Sequence, residues 1–405
     1  MNILIVSQYF WPEDFPITDL ALGLSDAGHD VSVLTGVPNY PKGVAFQGYS
    51  PWRPSEESYS GLSIRRVPII TRGNSKGSRL VLNYLSFVLS GCSLGTLKIP
   101  KDIEVILVYE PSPITVTIPA LLIGRLRKVP TFLWVQDLWP ETLTAVGAVK
   151  APLVLKIISK MVGYIYHACD RILVQSKAFI PPILGYGISP DKVVYFPNTV
   201  ESLYRPLERV SLYPEADLLP EGFKVMFAGN IGAAQDFETL LATAERLREE
   251  PEIKLIIIGD GRLYPWVKAE VERRGLAGTV YLLGRYPRES MPRFFCYADA
   301  LLVSLKKHPI FSCTIPSKVQ AYLACGRPVI ASLDGEGGRI IRESGAGIAV
   351  EAENPDKLTE AILKLYKLAP DERESMGYNA RKYFKENFER EMLLDKLSKL
   401  FESTR

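Results

Sequence analysis

The sequence predicts an α/β protein of two Rossmann-like domains facing one another across a cleft, and three observations carry that prediction. Short runs rich in β-branched residues alternate with helical stretches along nearly the whole chain. The alternation breaks once, over residues 197–222, where Pro197, Pro206, Pro214 and Pro220 interrupt a stretch with few periodic apolar positions. It then resumes, which divides the chain into two series of about 200 residues each.

The first series opens on Asn2-Ile3-Leu4-Ile5-Val6-Ser7, a short apolar run typical of a parallel strand buried on both faces. The loop from Gln8 to Phe15 leads to Pro16, a good first-turn residue, and a helix carrying Leu20, Leu22 and Leu24 that ends near Gly28. Strands follow at Val31–Thr35, Ile64–Val67, Val105–Val108, Thr131–Val135, Ile172–Val174 and Val193–Tyr195, with helical segments between most of them. The second series places strands at Lys224–Ala228, Lys254–Ile258, Val280–Leu282, Ala300–Val303, Val329–Ala331 and Ile348–Val350, before a charged helical tail from Pro370. Repeated βαβ units imply doubly wound parallel sheets, whose ligands bind outside the carboxyl ends of the strands. The expected boundaries are 1–200, 201–385 and a final helix over 386–405. Residues Gly36 to Ser60 read as one long aromatic loop of the kind that serves binding.

Composition narrows the classes. The 405 residues are 47% hydrophobic and 23% charged, enough for a large core and too apolar for a disordered chain. The formal net charge of +3 does not argue for nucleic-acid binding. Between Gly61 and Ile180, however, fifteen Lys/Arg stand against six Asp/Glu, so the middle of the first half is strongly basic. Part of that excess lies in Arg125, Arg127 and Lys128 at one helix end. Another part is Lys150, Lys156 and Lys160 within an apolar helical segment that contains Leu153, Val154, Ile157 and Ile158. A lysine pair one turn apart on an apolar helix suits an interface with anionic lipid; the competing reading is a core helix with snorkelling lysines. Leu80 to Leu97 carries no charge, but its serines, glycines, Asn83 and Thr96 make it a buried or surface-docked helix rather than a membrane span. Five cysteines without CxxC spacing, and no signal peptide, read as a reduced cytosolic chain with neither disulfide nor zinc.

Motifs that are missing exclude several chemistries. Ser7-Gln8-Tyr9-Phe10-Trp11 follows the first strand where a dinucleotide fingerprint belongs, and the Walker A, H-E-x-x-H, G-x-S-x-G and D-x-D patterns are absent. The best positive signal is a helix that starts at Pro316-Ser317-Lys318 and ends at Cys325-Gly326-Arg327-Pro328, after the loop from Ser304 to Ile315. Its free N–H groups and the charge of Lys318 make a seat for a diphosphate. Gly229, Gly259, Gly261 and Gly284 lie at successive strand ends, where backbone can approach a ligand closely or simply turn. In the first half, Asp137 and Glu141 follow a buried strand; capping and catalysis are both open readings for Asp137. Asp14 shares that ambiguity.

These residues together resemble the retaining glycosyltransferases of family 4, with the GT-B fold, over nearly the whole chain. The likeness is nearest to bacterial O-antigen and capsule enzymes that transfer N-acetylfucosamine. It rests on Ile3–Pro12, Gly28–Gly36 with Pro38-Asn39-Tyr40-Pro41, Asn83–Phe87, Gln136–Glu141, Gly229–Gln235 and Pro316–Pro328. The resemblance implies that the first domain binds a polyprenyl-diphosphate-linked acceptor through Asp14, Asn39 and Tyr40 on the inner face of the cell membrane. The second would bind a UDP-sugar, an N-acetylated deoxysugar, through Gly229, Asn230, Gln235, Asp260, Arg285, Tyr286, Ser317, Lys318 and Gln320. Asp137, Lys318 and Glu336 are the implied catalytic residues. It also implies chemistry without a metal or other cofactor, in which the leaving diphosphate deprotonates the acceptor on the same face. The chain departs from the pattern at Cys313 and Ala321, where many members carry two glutamates, and at Asn230 and Gln235 in place of Arg and Lys. Glu336 or Gln320 would substitute for the glutamates, and Lys318, its helix end and Arg285 for the missing cations. A UDP-sugar epimerase of the same shape, or a non-catalytic nucleotide-sugar or membrane-binding scaffold, is the alternative that these departures keep open.

Overall fold

The computed structural model describes residues 1–73, 77–145, 149, 151–210 and 213–404. Their contacts form two compact units, Met1–Asn198 with Leu393–Arg405, and Thr199–Met392.

The first unit is built on β1 (Asn2–Val6), β2 (Asp30–Gly36), β3 (Ser55–Tyr59), β4 (Leu62–Val67), β5 (Val105–Glu110), β6 (Thr131–Val135), β7 (Arg171–Val174) and β8 (Val193–Tyr195). Their order in the sheet is β3-β4-β2-β1-β5-β6-β7-β8. Ile3 lies opposite Val31 on one side and Val105 on the other, so β1 and β5 are the adjacent central pair. From that pair the chain winds outward in both directions, which leaves a crevice at their carboxyl ends. Helices over Pro16–Asp26, Thr117–Arg127 and Pro152–Ala168 cover the sheet. The closing helix, Arg390–Glu402, contributes its last part to this unit: Phe401 sets its ring against Phe132 at 4.9 Å, and Lys396 donates to the Tyr195 carbonyl at 2.7 Å.

The second unit is an all-parallel sheet of β9 (Phe223–Ala228), β10 (Ile253–Ile258), β11 (Val280–Gly284), β12 (Ala300–Ser304), β13 (Val329–Ser332) and β14 (Gly347–Val350). The order β11-β10-β9-β12-β13-β14 puts its switch point between β9 and β12. Phe227, Leu240, Leu255, Ile257 and Leu302 belong to one continuous buried core.

Two local expectations need correction. The stretch from Gly36 to Ser60 is not one loop: Ser55–Tyr59 forms β3, antiparallel to β4 at the sheet edge. Its sequence, Ser-Glu-Glu-Ser-Tyr, hides a strand because an edge strand with solvent on one side needs no apolar run. The uncharged segment Leu80–Leu97 is helical as expected, with a helix over Gly77–Ser90, a π-helical turn over Gly91–Gly95, then Thr96–Lys98. Five-residue Pro309–Cys313 is helical inside what reads as a loop. Among the described residues, no helix is long and apolar enough to cross a membrane.

The edge strand is tied down by a buried cation. Arg66 on β4 has no exposed side-chain surface, and its guanidinium bonds Glu57 of β3, the Gly36 carbonyl at 3.1 Å and the Trp11 carbonyl. Removing one partner of a buried pair costs about 3–5 kcal/mol, less here because Glu57 is a quarter exposed. Glu57→Ala is therefore expected to destabilise by about 2 kcal/mol in urea unfolding, and Glu57→Ala with Arg66→Met by less than the single change. An unshifted midpoint for Glu57→Ala would show that the pair contributes nothing.

Candidate functional site

In the second unit the loops after β9, β10, β12 and β13 converge by backbone contact. Gly229 (φ +133°) ends β9, and Gly259 (φ +144°) ends β10. A Cβ on Gly259 would lie 1.9 Å from the Gly229 carbonyl oxygen, so only glycine permits this approach. The Ile231 amide donates to the Asp260 carbonyl at 2.9 Å, and the Lys306 amide to the Ala234 carbonyl at 2.8 Å. The helix Ser317–Ala324 then presents its N-terminus beside this cluster, pinned by Tyr322, whose buried hydroxyl accepts from the Ala228 amide at 3.0 Å.

Lys318 is the centre of the arrangement. Its ammonium is buried and has no hydrogen-bond partner. A Cβ on Gly229 would meet the Lys318 Nζ at 2.9 Å, so the lysine reaches under the strand-end glycine. It sits 3.6 Å above the Phe227 ring centroid, where the π face gives partial compensation. Burial alone pulls its pKa down to about 7. The full positive charge expected at this position is thus corrected: without an anion beside it, Lys318 is about half protonated near neutral pH. Helix N-terminus and buried amine point to one ligand class, a phosphate or diphosphate.

The other residues singled out in this half spread around the cluster. Asn230 and Asp260 are exposed, Asp260 accepting from the Gly261 amide at 2.7 Å; Gln235 accepts from the Gly232 amide at 3.2 Å. Ser317 is exposed at the first turn, Arg285 is exposed, and Tyr286 rests edge-on against Phe294 at 4.9 Å. Gln320 is only 2% exposed, so it faces the interior rather than the strand-end surface where a ligand would lie. Glu336 opens the helix Glu336–Ser344 with Arg339 fastened to both its oxygens, at 2.9 and 3.1 Å.

The first unit holds a second polar cluster at its own strand ends. Asp137, after β6, is buried and has a pKa raised to about 6 by that burial. The helix beyond it begins only at Glu141, which removes capping by position as its role. Beside it, Glu110 ends β5 with no exposure and no side-chain donor on either oxygen. Burial first and the Asp137 charge second push the Glu110 pKa well up, opposed by the backbone amides of Asp137 and Gln136. Near the end of β1, Arg72 lies over the rings of Tyr40 (5.3 Å) and Tyr9 (5.7 Å) and donates to the Tyr9 hydroxyl at 3.2 Å. Tyr40 is 40% exposed and Asp14 is exposed in the same loop region.

Asn39 is a correction. It is fully buried, donates to the Val37 carbonyl at 2.9 Å and accepts from the Arg72 amide at 3.1 Å, so it shapes the loop instead of meeting a ligand. Glu13, unremarked in the sequence, completes that loop: its carboxylate accepts from the amides of Asn39 and Tyr40 at 2.8 and 2.7 Å. Glu110 had a visible signal, a carboxylate closing an otherwise apolar strand. Arg72 and Glu13 had none, because their partners lie up to 63 residues away.

On the same unit, Arg125 donates to Tyr164 at 2.6 Å and so joins the ends of two helices. Arg127 reaches the Ile99 carbonyl at 3.5 Å, Lys128 caps its helix at φ +57°, and Lys156 and Lys160 are exposed. Lys150 lies outside the described residues. Leu126, Leu153 and Ile157 are exposed among these cations, and Leu89 and Leu97 are exposed on the preceding helical segment.

Residues 17–199 match the glycosyl transferase 4-like domain, and residues 214–383 match glycosyl transferases group 1. The chain carries two glycosyltransferase domains. This glycosyltransferase is 25% identical to the putative colanic acid biosynthesis glycosyl transferase WcaI of Escherichia coli, over 98% of this chain and 99% of the relative. Its fold is GT-B. HepE of Anabaena, solved in complex with UDP, aligns over all of both chains at a TM-score of 0.70 and 12% identity. WaaG, a glycosyltransferase involved in lipopolysaccharide biosynthesis, aligns over 99% of both chains at a TM-score of 0.64 and 14% identity.

A buried amine without a partner destabilises the fold that holds it. Lys318→Met is expected to unfold at a higher temperature than the wild type, by about 1–4 kcal/mol at pH 6. Between pH 7 and about 10.4 the unfolded wild type binds one more proton than the folded form, so wild-type stability rises with pH and the gain from Met shrinks. A thermal melt series at pH 6, 8 and 9.5 checks this; a destabilised Met variant at pH 6 would overturn it.

Proposed function

We propose that this glycosyltransferase moves a sugar from a UDP-sugar, with retention, onto a polyprenyl-diphosphate-linked acceptor in the synthesis of a surface polysaccharide or capsule. The sugar in this reading is an N-acetylated deoxysugar such as N-acetylfucosamine. The observation that carries it is Lys318: a buried, unpartnered amine at a helix N-terminus, at the switch point of a parallel sheet. The assignment of WcaI to colanic acid biosynthesis, the part of WaaG in lipopolysaccharide biosynthesis, and the UDP bound by HepE support the pathway and the donor.

In the reaction the bond between the anomeric carbon and the diphosphate oxygen breaks while the acceptor oxygen bonds that carbon. Negative charge accumulates on the departing diphosphate. Lys318, protonated once the diphosphate arrives, and the free amides at Ser317 neutralise it, an electrostatic contribution strongest where water is excluded. Arg285 and the glycine-rich turn at Gly229 complete the donor seat. The diphosphate takes the acceptor proton, so no resident metal is called upon. In the first unit Arg72, Tyr40 and Asp14 receive the anionic acceptor, and Asp137 orients its hydroxyl.

Membrane attachment is part of the same reading. Exposed Leu89, Leu97, Leu126, Leu153 and Ile157 enter the headgroup boundary while Arg125, Arg127, Lys128, Lys156 and Lys160 meet anionic lipid. The chain works in this reading as a peripheral protein on the cytoplasmic face.

Donor affinity carries a pH signature. Below pH 7 Lys318 is already charged and UDP affinity is flat; above pH 7 each binding event must take up a proton, and affinity falls up to tenfold per unit. Calorimetry in buffers of different ionisation enthalpy is expected to show that uptake at pH 8 in the wild type and none in Lys318→Met. The decisive experiment supplies a panel of UDP-sugars with a polyprenyl-diphosphate-linked sugar in vesicles with and without phosphatidylglycerol. UDP release that needs the acceptor, a retained anomeric configuration by NMR, and sedimentation with anionic vesicles reduced about tenfold in Lys156→Glu/Lys160→Glu are expected. UDP release or an epimerised sugar without acceptor, or no turnover with any donor, would sink the assignment.

A further inference from the structure

We propose that a cavity at the amino-terminal edge of the second unit's sheet binds a phosphorylated small molecule through its diphosphate group, at a site separate from the loops around Lys318. This goes beyond glycosyl transfer and does not depend on it.

The cavity has a volume of about 570 Å³, the size of an ordinary small-molecule site. One wall is a single face of the helix Pro370–Asn387: Pro370, Arg373, Glu374, Gly377, Tyr378 and Arg381 follow at steps of three and four. The opposite wall is the turn Cys325–Pro328 that enters β13 and the pair Ala298–Asp299 that enters β12. Arg209, from the segment that precedes β9, closes it. The wall of Ala298–Asp299 and Cys325–Pro328 lies where β12 and β13 begin, whereas the Lys318 cluster lies where the strands exit. The helix Ser317–Ala324 separates the two by its own length, about 12 Å at 1.5 Å per residue.

The charge of the lining selects the ligand. Four arginines face two carboxylates, Asp299 and Glu374. Three of the four are tethered. Arg209 is paired with Asp299 at 2.9 Å and donates to the Cys296 and Ala298 carbonyls. Arg381 donates to the Ala324 carbonyl at 2.9 Å, and Arg373 donates to carbonyls at the end of the preceding helix, including Leu368. Arg327 is the exception. It makes no hydrogen bond or ion pair among the described residues, while Arg209 stands near enough to push against it. Burial first, and that neighbouring charge second, hold its pKa below the ordinary arginine value.

Two guanidiniums kept close repel each other, the nearby Asp299 acting on Arg327 but ion-paired with Arg209, and an anion between them reverses the sign of that repulsion. A guanidinium binds phosphate through two parallel N–H donors, and several converging forks suit a diphosphate better than a single carboxylate. Exposed Tyr378 and the rings of Pro206 and Pro328 line the remainder, an apolar and aromatic surface for whatever the diphosphate carries. Inorganic pyrophosphate and nucleoside diphosphates share the required group, and titration separates them.

The test uses the full chain with Lys318→Ala, so that the donor seat is disabled in every arm. Calorimetric titration with pyrophosphate, and separately with UDP and ADP, is expected to show one site whose affinity falls as sodium chloride rises. Tighter binding of a nucleotide than of pyrophosphate assigns the aromatic surface to a base; equal binding assigns recognition to the diphosphate alone. Adding Arg327→Gln is expected to weaken binding at least tenfold, and Arg327→Lys to restore part of it. Amide hydrogen exchange on the wild type gives a readout independent of any variant's folding: pyrophosphate should protect Cys325–Pro328 and Pro370–Arg381. No binding in the Lys318→Ala protein, binding indifferent to Arg327→Gln, or no protection of those two segments would overturn the proposal.

Discussion

A parallel strand covered on both faces has nowhere to place polar chemistry except at its ends. β1, β5, β6, β9 and β12 are buried along nearly their whole length, so each unit gathers its polar and charged side chains at the two rims of its sheet. At the carboxyl rims lie Asp137, Glu110 and Arg72 in one unit and Lys318 in the other. Winding outward from a central pair parts the neighbouring loops, and that parting makes room for a ligand. The packed sheets come first in this account, and the sites are what their geometry leaves open.

Buried charge behaves in two ways in this molecule. Arg66 is wholly enclosed but meets a carboxylate and two carbonyls, and the result is structural: an edge strand held in register. Lys318 is enclosed without such partners, and the cost of holding its charge appears as a pKa near 7. Apart from the Phe227 ring, nothing beside this amine offsets its charge, and the helix N-terminus next to it adds to the positive field. The same reasoning separates Glu336, clasped by Arg339, from Asp137, whose raised pKa comes from burial alone.

Thirteen of the fourteen strands among the described residues were legible because their apolar runs are local signals, readable within five or six residues. The helix at Ser317 was legible for a similar reason, with proline before it and Gly-Arg-Pro after it. β3 was not, since what makes Ser-Glu-Glu-Ser-Tyr a strand is its partner β4 and the Glu57–Arg66 pair. At the sites, residue type and place along the chain were readable, while the state of each side chain was not. That Lys318 is half-neutral, that Asn39 is enclosed, and that Arg72 lies between two tyrosines all follow from contacts distant in sequence. The arginine-lined cavity was invisible for the same reason, because its four cations come from three separate stretches of chain.

The form of β3 matters beyond its own pairing. A sheet whose outermost strand shows free N–H and C=O groups invites a second chain to add itself, and the hazard grows with local concentration. β3 meets that hazard with Glu56 and Glu57 in a five-residue strand, while β8, at the opposite end, is three residues long and has the Tyr195 carbonyl already held by Lys396. Both margins of the eight-stranded sheet are thus poor templates for intermolecular pairing. Copies of this chain crowded together are thereby protected from joining sheet to sheet into fibres.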